Sequence, residues 1–309
     1  MRALLAFFSA CAIAAFAQSD PPAATSFRAD TTLVLVPVSV TDPSNRYVLG
    51  LEKQDFHLFE DDAPQTITFF SSEDAPLSIG LLVDTSGSMG AKLDTSRRAV
   101  VEFLKTLNAS DEVFLVEFSD QAELAVSLTN DSAAIESKLT SINSGGLTAM
   151  LDAVHVGLQE MKRAKNPRKA LLMISDGGDN NSRYTAKQIE DLVREADVQI
   201  YAMGVFEPVF SFGPTTAGLT TAEMSGPKLL SEISDQTGGR ALAASSLRDL
   251  PGIAGRIGIE LRNQYVLAYT PTNRNRDGKY RKVQVKVDQP KALPALKARW
   301  RLGYYAPND

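Results

Sequence analysis

Cysteine and histidine are nearly absent from this chain, which has one cysteine, Cys11, and two histidines, His57 and His155. The cysteine lies in an apolar N-terminal stretch that reads as a removable signal. Without that stretch there is no disulfide, no zinc–thiolate site and no cysteine nucleophile. One histidine falls in a β-patterned section and the other in a helix-patterned one, so a paired imidazole site is not expected. G-x-S-x-G, H-E-x-x-H, a P-loop and G-x-G-x-x-G are all missing. So are internal repeats and low-complexity tracts. No later apolar run reaches the roughly 20 residues that cross a bilayer. Positive charge is not in excess either: 32 Lys and Arg face 37 Asp and Glu. That balance argues against nucleic acid as the main partner.

Arg2 is followed by the apolar run Ala3 to Ala15 and then Ala15-Phe16-Ala17, a small-residue cleavage pattern. This predicts a signal peptide over residues 1–17, cut after Ala17, and an exported protein, periplasmic or extracellular. A lipidated Cys11 is the rival reading, but Phe8-Ser9-Ala10 lacks the leucine that opens such motifs. Residues 18–30 are polar and Pro/Ala-rich and read as a flexible lead-in.

Residues 31–75 are patterned as β structure. Val34, Val36, Val38 and Val40 alternate on one face, Asp42 to Asn45 is a turn, and strands follow at Asp55–Phe59 and Thr66–Phe70. Residues 76–261 alternate buried strands with amphipathic helices. Strands are predicted at Leu77–Val83, Val113–Phe118, Glu123–Leu128, Ala170–Ser175, Val198–Val205 and Arg240–Ala243. Helices are predicted at about Ala91–Leu107, Asp131–Leu139, after Thr148, at Thr185–Ala196, Lys228–Gln236 and Leu247–Leu261. That alternation implies an α/β fold with a doubly wound, mostly parallel sheet. In residues 262–309 the β pattern returns at Tyr265–Tyr269, Tyr280–Val287 and Leu296–Tyr304. Neither flank has strands enough for a core of its own. The expectation is therefore one small antiparallel β-sandwich made from the N- and C-terminal segments, with the α/β domain inserted between them.

Chemistry concentrates at three places. Asp84-Thr85-Ser86-Gly87-Ser88 follows the strand Leu77–Val83, Thr148 follows Gly145-Gly146, and Asp176 follows the strand Ala170–Ser175. Open α/β sheets bind ligands at the carboxyl edge of their strands, where Asp84 and Asp176 fall. Ser86 and Ser88, two apart on a loop, can turn both hydroxyls toward one ion. Two carboxylates and three hydroxyls suit a hard divalent cation of Mg2+ size, and hydroxyl ligands leave much of its charge unneutralised. Alone, the DTSGS stretch reads equally as a serine-rich helix cap, Thr148 more readily as a cap than a ligand, and Asp176-Gly177-Gly178 as a turn; the combination points to a metal site at Asp84, Ser86, Ser88, Thr148 and Asp176.

The stretches IGLLVDTSGSM, SGGLTAMLDAV and LLMISDGGDN resemble the three motifs of the von Willebrand factor A-domain family. The resemblance covers about residues 76–245. It implies a metal-ion-dependent adhesion site on the same five residues, a Mg2+ or Mn2+ cofactor, and a protein partner whose Glu or Asp completes the coordination. Leu147, between Gly146 and Thr148, departs from the family's direct Gly-Thr and puts the threonine's ligation in question. The flanks VLVPVSVTD, DFHLFEDDAPQTI, NQYVLAYTPTNRNRDGKYRKVQVKV and LGYYAP resemble an exported bacterial group called acidobacterial VWFA-related.

The expectation is a protein-binding, adhesion-type module rather than an enzyme. The alternatives are a metal-dependent hydrolase of phosphates or esters and a scaffold with a stabilising ion. The hydrolase lacks a general base, because Asp84 and Asp176 are committed to the metal. Asp179, Asn180 and Asn181 read as a solvated loop, with a role in tuning the site as the other option. Phe206, Phe210 and Phe212 read as packing under their own loop, with lining for a docking surface as the other option. Lys282, Lys286, Lys297, Arg299 and Arg301 form an expected exposed basic face.

Overall fold

The computed structural model describes residues 33–205, 221–289 and 295–308. The expected signal peptide, the lead-in and Phe206, Phe210 and Phe212 lie outside them.

Fourteen strands and six helices are described: β1 Val34–Thr41, β2 Phe56–Glu60, β3 Ala63–Gln65, β4 Ile67–Ser71, β5 Leu77–Asp84, α1 Leu93–Leu104, β6 Glu112–Phe118, β7 Ala122–Thr129, α2 Ser132–Ser141, α3 Met150–Met161, β8 Arg168–Ser175, α4 Ala186–Glu195, β9 Gln199–Gly204, α5 Thr221–Gln236, β10 Arg240–Ala243, α6 Leu250–Arg262, β11 Tyr265–Tyr269, β12 Tyr280–Val287, β13 Lys297–Trp300 and β14 Gly303–Tyr305.

The central sheet runs β10-β9-β8-β5-β6-β7. Its pairs are parallel except β6 with β7. Every residue of β5 is buried, as a strand sandwiched between two helical layers requires. Ile79, Leu81 and Val83 pack with Val100 and Phe103 of α1, Ile135 of α2 and Ile257 of α6 on one face. Leu82, Phe114 and Val116 pack with Val154 of α3, Ile189 of α4 and Ile233 of α5 on the other. The doubly wound α/β fold is therefore present, with the strand order switching beside β5.

The flanks interleave. One four-stranded sheet has the order β13-β1-β11-β4 and the other β14-β12-β2-β3, so each combines strands from before and after the α/β region. All the pairings are antiparallel. Val36 and Val38 of β1, Leu58 of β2, Leu267 of β11 and Val283 of β12 share one core. Each fully buried branched side chain contributes roughly 1.5–3 kcal/mol. The predicted sandwich of N- and C-terminal segments is present.

Four details differ from the sequence reading. The turn expected after Glu60 holds a short strand, β3. The helix expected from Ala91 begins as a 3-10 turn over Gly87–Lys92 before α1. Helix α5 begins at Thr221, before Pro227 rather than after it. Finally, the strand expected over Leu296–Tyr304 is broken. Arg301 is buried, its Nη1 donating to Asp197 Oδ1 at 2.9 Å and its Nε to Gly303 O at 3.1 Å. Leu302 is 44% exposed. The chain leaves β1 of one sheet there and joins β12 of the other, a corner between packed sheets. The expected basic face is thereby divided. Lys282 and Lys286 sit on β12, Lys297 and Arg299 on β13 of the opposite sheet, and Arg301 points inward.

Candidate metal centre

Asp84 ends β5 and is fully buried. Its Oδ1 accepts from the Ser86 backbone N–H at 2.9 Å and its Oδ2 from Ser175 Oγ at 2.6 Å. Each oxygen keeps a second lone pair. Burial pushes the Asp84 carboxyl up to about 6; hydrogen bonds from Ser175 and Ser86 oppose the rise and the neighbouring Asp176 charge adds to it. The sequence reading missed Ser175. Its hydroxyl faces Asp84 because β5 and β8 pair in parallel register, a tertiary fact with no local signal.

Ser86 and Ser88 place their Oγ atoms 3.1 Å apart. The 3-10 turn that follows brings Lys92 back to the rim, where its Nζ lies 3.2 Å from Asp176 Oδ2 with both side chains about nine-tenths buried. Lys92 was not singled out from sequence, since an α-helix starting near Gly90 would place it differently from this tighter turn. Asp176 and Asp84 share the carboxyl edge of the sheet.

Three loops are tied together at that edge. Gly145 N donates to Thr85 O at 2.8 Å and Gly87 N to Gly146 O at 3.0 Å. Gly146 has a φ of +80°, and a side chain there would overlap Asp120. Thr148 is buried; its N–H donates to Asn180 Oδ1 at 2.8 Å, and its carbonyl accepts from Asn180 N and Asn181 N at 3.0 Å. Leu147 turns outward, 48% exposed, with its N–H held by Asp120 Oδ1 at 2.8 Å. The departure at Leu147 thus leaves Thr148 buried at the rim.

The Asp179–Asn181 stretch is a loop with Asn180 and Asn181 exposed, as expected, but its side chains are engaged at the rim. Asp179 Oδ1 accepts from Met150 N at 2.9 Å and from Ser182 Oγ at 2.6 Å, capping the first turn of α3. Asn181 Nδ2 donates to Asp120 O at 2.7 Å. The two histidines lie apart in their bonding: His57 faces Asp288, and His155 stacks on Tyr184.

Among the described residues, no three His, Cys, Asp or Glu side chains gather as a cation site. An ion at this rim would need oxygen ligands beyond carboxylates, and the adjacent Ser86 and Ser88 hydroxyls are such oxygens. The donor chemistry suits a hard cation: two buried like-charged carboxylates, of which only Asp176 meets an ammonium, beside an adjacent pair of hydroxyls.

Residues 79–178 match the family model for the von Willebrand factor type A domain. An uncharacterised protein of Borreliella burgdorferi is 28% identical over 182 residues, 53% of this chain and 53% of that protein. Inter-alpha-trypsin inhibitor heavy chain H4 of Sus scrofa is 30% identical over 133 residues, 39% of this chain and 14% of its own length. The chain thus spans about half or less of these curated relatives. A solved von Willebrand factor type A protein from Catenulispora acidiphila shares the fold at 12% identity and a TM-score of 0.52, covering 89% of this chain and 75% of that one. The motif-bearing loops fall inside the matched stretch, on a doubly wound sheet, and it is this part of the chain, residues 79–178, that matches the von Willebrand factor type A domain.

Proposed function

We propose that this chain is an exported, metal-dependent protein-binding module. In this reading Asp84, Ser86, Ser88, Thr148 and Asp176 hold Mg2+ or Mn2+, and a partner protein docks through a Glu or Asp. The observation that carries it is the knitting of three loops at the carboxyl edge of the sheet, with paired serine hydroxyls beside a buried Asp84. A bound ion supplies a Lewis-acidic position open to an outside carboxylate. The chain's own groups set the charge balance. Asp84 and Asp176 bring two negative charges, and Lys92 offsets the one on Asp176. Less than the full charge of a divalent ion is then neutralised, which favours an acidic partner. Asn180 and Asp120 orient Thr148 and the Gly145–Leu147 turn. Export rests on the N-terminal cleavage pattern. A hydrolytic reading has no observation in its favour, since Asp84 and Asp176 are both engaged at the rim.

Titration calorimetry with Mg2+ and with Mn2+ tests the reading. Saturable heat at one site is expected for the wild type and is expected to vanish in the Ser86→Ala/Ser88→Ala double variant, with circular dichroism unchanged. Equal heats from the two proteins would remove the metal from the account.

A further inference from the structure

A cavity of about 190 Å³ lies at the other end of the central sheet, where β8 and β9 begin. Its walls are mostly apolar. Leu35, Phe69 and Val266 come from β1, β4 and β11, and Val193 and Val198 from α4 and the approach to β9. It is somewhat larger than the apolar cavity of about 150 Å³ that takes up benzene.

Arg168, Gln199, Thr237 and Arg301 are the buried polar residues that line it, and the first two have donors with nothing to bond. Arg168 and Gln199 are each 7% exposed. Arg168 Nε and Nη1 and Gln199 Nε2 find no hydrogen-bond partner among the described residues. The remaining guanidinium nitrogen, Nη2, donates to Leu261 O and Gln264 Oε1. The carboxylate paired with Arg168 is Asp74, 3.7 Å away, and both Asp74 oxygens already accept from Arg262. Arg168 is therefore a desolvated cation with incomplete compensation, a costly arrangement unless something else supplies acceptors. All the orphaned groups are donors, so the missing partner is an acceptor. Arg262 also pairs with the buried Asp111, so the two arginines and two aspartates of that cluster balance, but the cavity lining as a whole sets Arg168, Lys169 and Arg301 against Glu73 and Asp197, and that surplus of cations favours an anion.

We propose that this cavity binds a small amphipathic monocarboxylate, its carboxylate on Arg168 and Gln199 and its apolar body against Leu35, Phe69, Val193, Val198 and Val266. The site is separate from the metal centre, which lies at the opposite edge of the sheet. It involves no covalent step.

The probe is hexanoate, titrated into the full chain in the presence of a chelator, so that metal-dependent carboxylate capture contributes nothing. Hexanol serves as the neutral counterpart. Hexanoate is expected to bind with one-to-one stoichiometry and to raise the melting temperature. Hexanol is expected to bind at least about tenfold more weakly, the factor a charge-assisted hydrogen bond supplies. Gln199→Leu should weaken hexanoate with little effect on hexanol, and Ala75→Phe, which fills the cavity, should abolish both. Crystals soaked in hexanoate give a readout that needs no variant to fold. Density for the ligand against Arg168 supports the proposal; ordered water alone in the cavity overturns it. It is equally overturned by absence of saturable heat, by equal affinity for hexanoate and hexanol, or by undiminished binding to folded Ala75→Phe.

Discussion

Lys92 shows how one side chain sets the character of the rim. Its ammonium stands on Asp176, one of the five candidate ligands, with both groups largely buried. Removing that positive charge makes the rim more attractive to a cation and less attractive to an anion. Lys92→Gln is therefore expected to tighten Mg2+ binding about tenfold, worth roughly 1.4 kcal/mol; calorimetry of the variant checks it. Unchanged or weaker affinity would mean that Lys92 does not oppose the ion. His155 carries a different residue-scale consequence. Burial pushes its pKa below 6.5; Asp152 opposes the shift, and Lys162 and Arg183 add to it. The unfolded chain then takes up a proton as pH falls through about 6.5 while the folded chain does not. The stability from the neutral ring is complete above that pH and is lost below it, until the folded pKa is reached. Urea unfolding at pH 7.5 and 5.5 should show a smaller acid loss for His155→Asn than for the wild type. All five candidate ligands could be read from sequence because each sits where a buried strand ends or a helix begins. Ser175 and Lys92 could not, since one depends on strand register and the other on a 3-10 turn.

At the scale of elements, β5 is the strand on which the site depends, and Gly80 is its tightest point. A methyl group there would overlap the Phe114 ring of β6 and Leu171 of β8, which close over the strand from either side. Gly80→Ala should destabilise the protein by about 1–3 kcal/mol, as overpacking of a filled core does, read as a lower urea midpoint with an unchanged slope. A neutral outcome would show that the two side chains can withdraw. Strand periodicity made β1, β5, β8, β11 and β12 legible to within a residue or two. The break at Arg301 was not legible, because alternation shows which way a side chain points but not which sheet the strand has joined. The bonds made by the exposed Asp179–Asn181 loop were not legible for a related reason. Those polar side chains serve backbone N–H groups of α3 and Thr148, which lie 29 and 32 residues away in sequence.

For the whole molecule, closure of the sandwich joins the two ends of the described chain around a buried charge. Glu60 of β2 accepts from Tyr269 and Tyr304 hydroxyls at 2.7 Å each and from Arg281 of β12 at 3.3 Å. Both Glu60 and Arg281 are almost fully buried. Arg281→Met leaves the carboxylate without its counter-charge and is expected to cost about 3–5 kcal/mol in urea unfolding. A loss below about 1 kcal/mol would show that the tyrosines alone satisfy Glu60. That the flanks combine was legible from their strand count, since neither could bury a face unaided. The interleaved strand order was not, because pairing between segments some 200 residues apart leaves no local pattern.

In the proposed site, oxygen donors from three loops share one divalent ion at the carboxyl edge of the sheet. Crystals grown with Mn2+ and measured for anomalous scattering test it most directly. A single peak is expected within about 2–2.5 Å of Ser86 Oγ and Ser88 Oγ, bordered by Asp84, Thr148 and Asp176, with water or an outside carboxylate completing the shell. A map with no peak at the rim, and Lys92 still seated on Asp176, would contradict it.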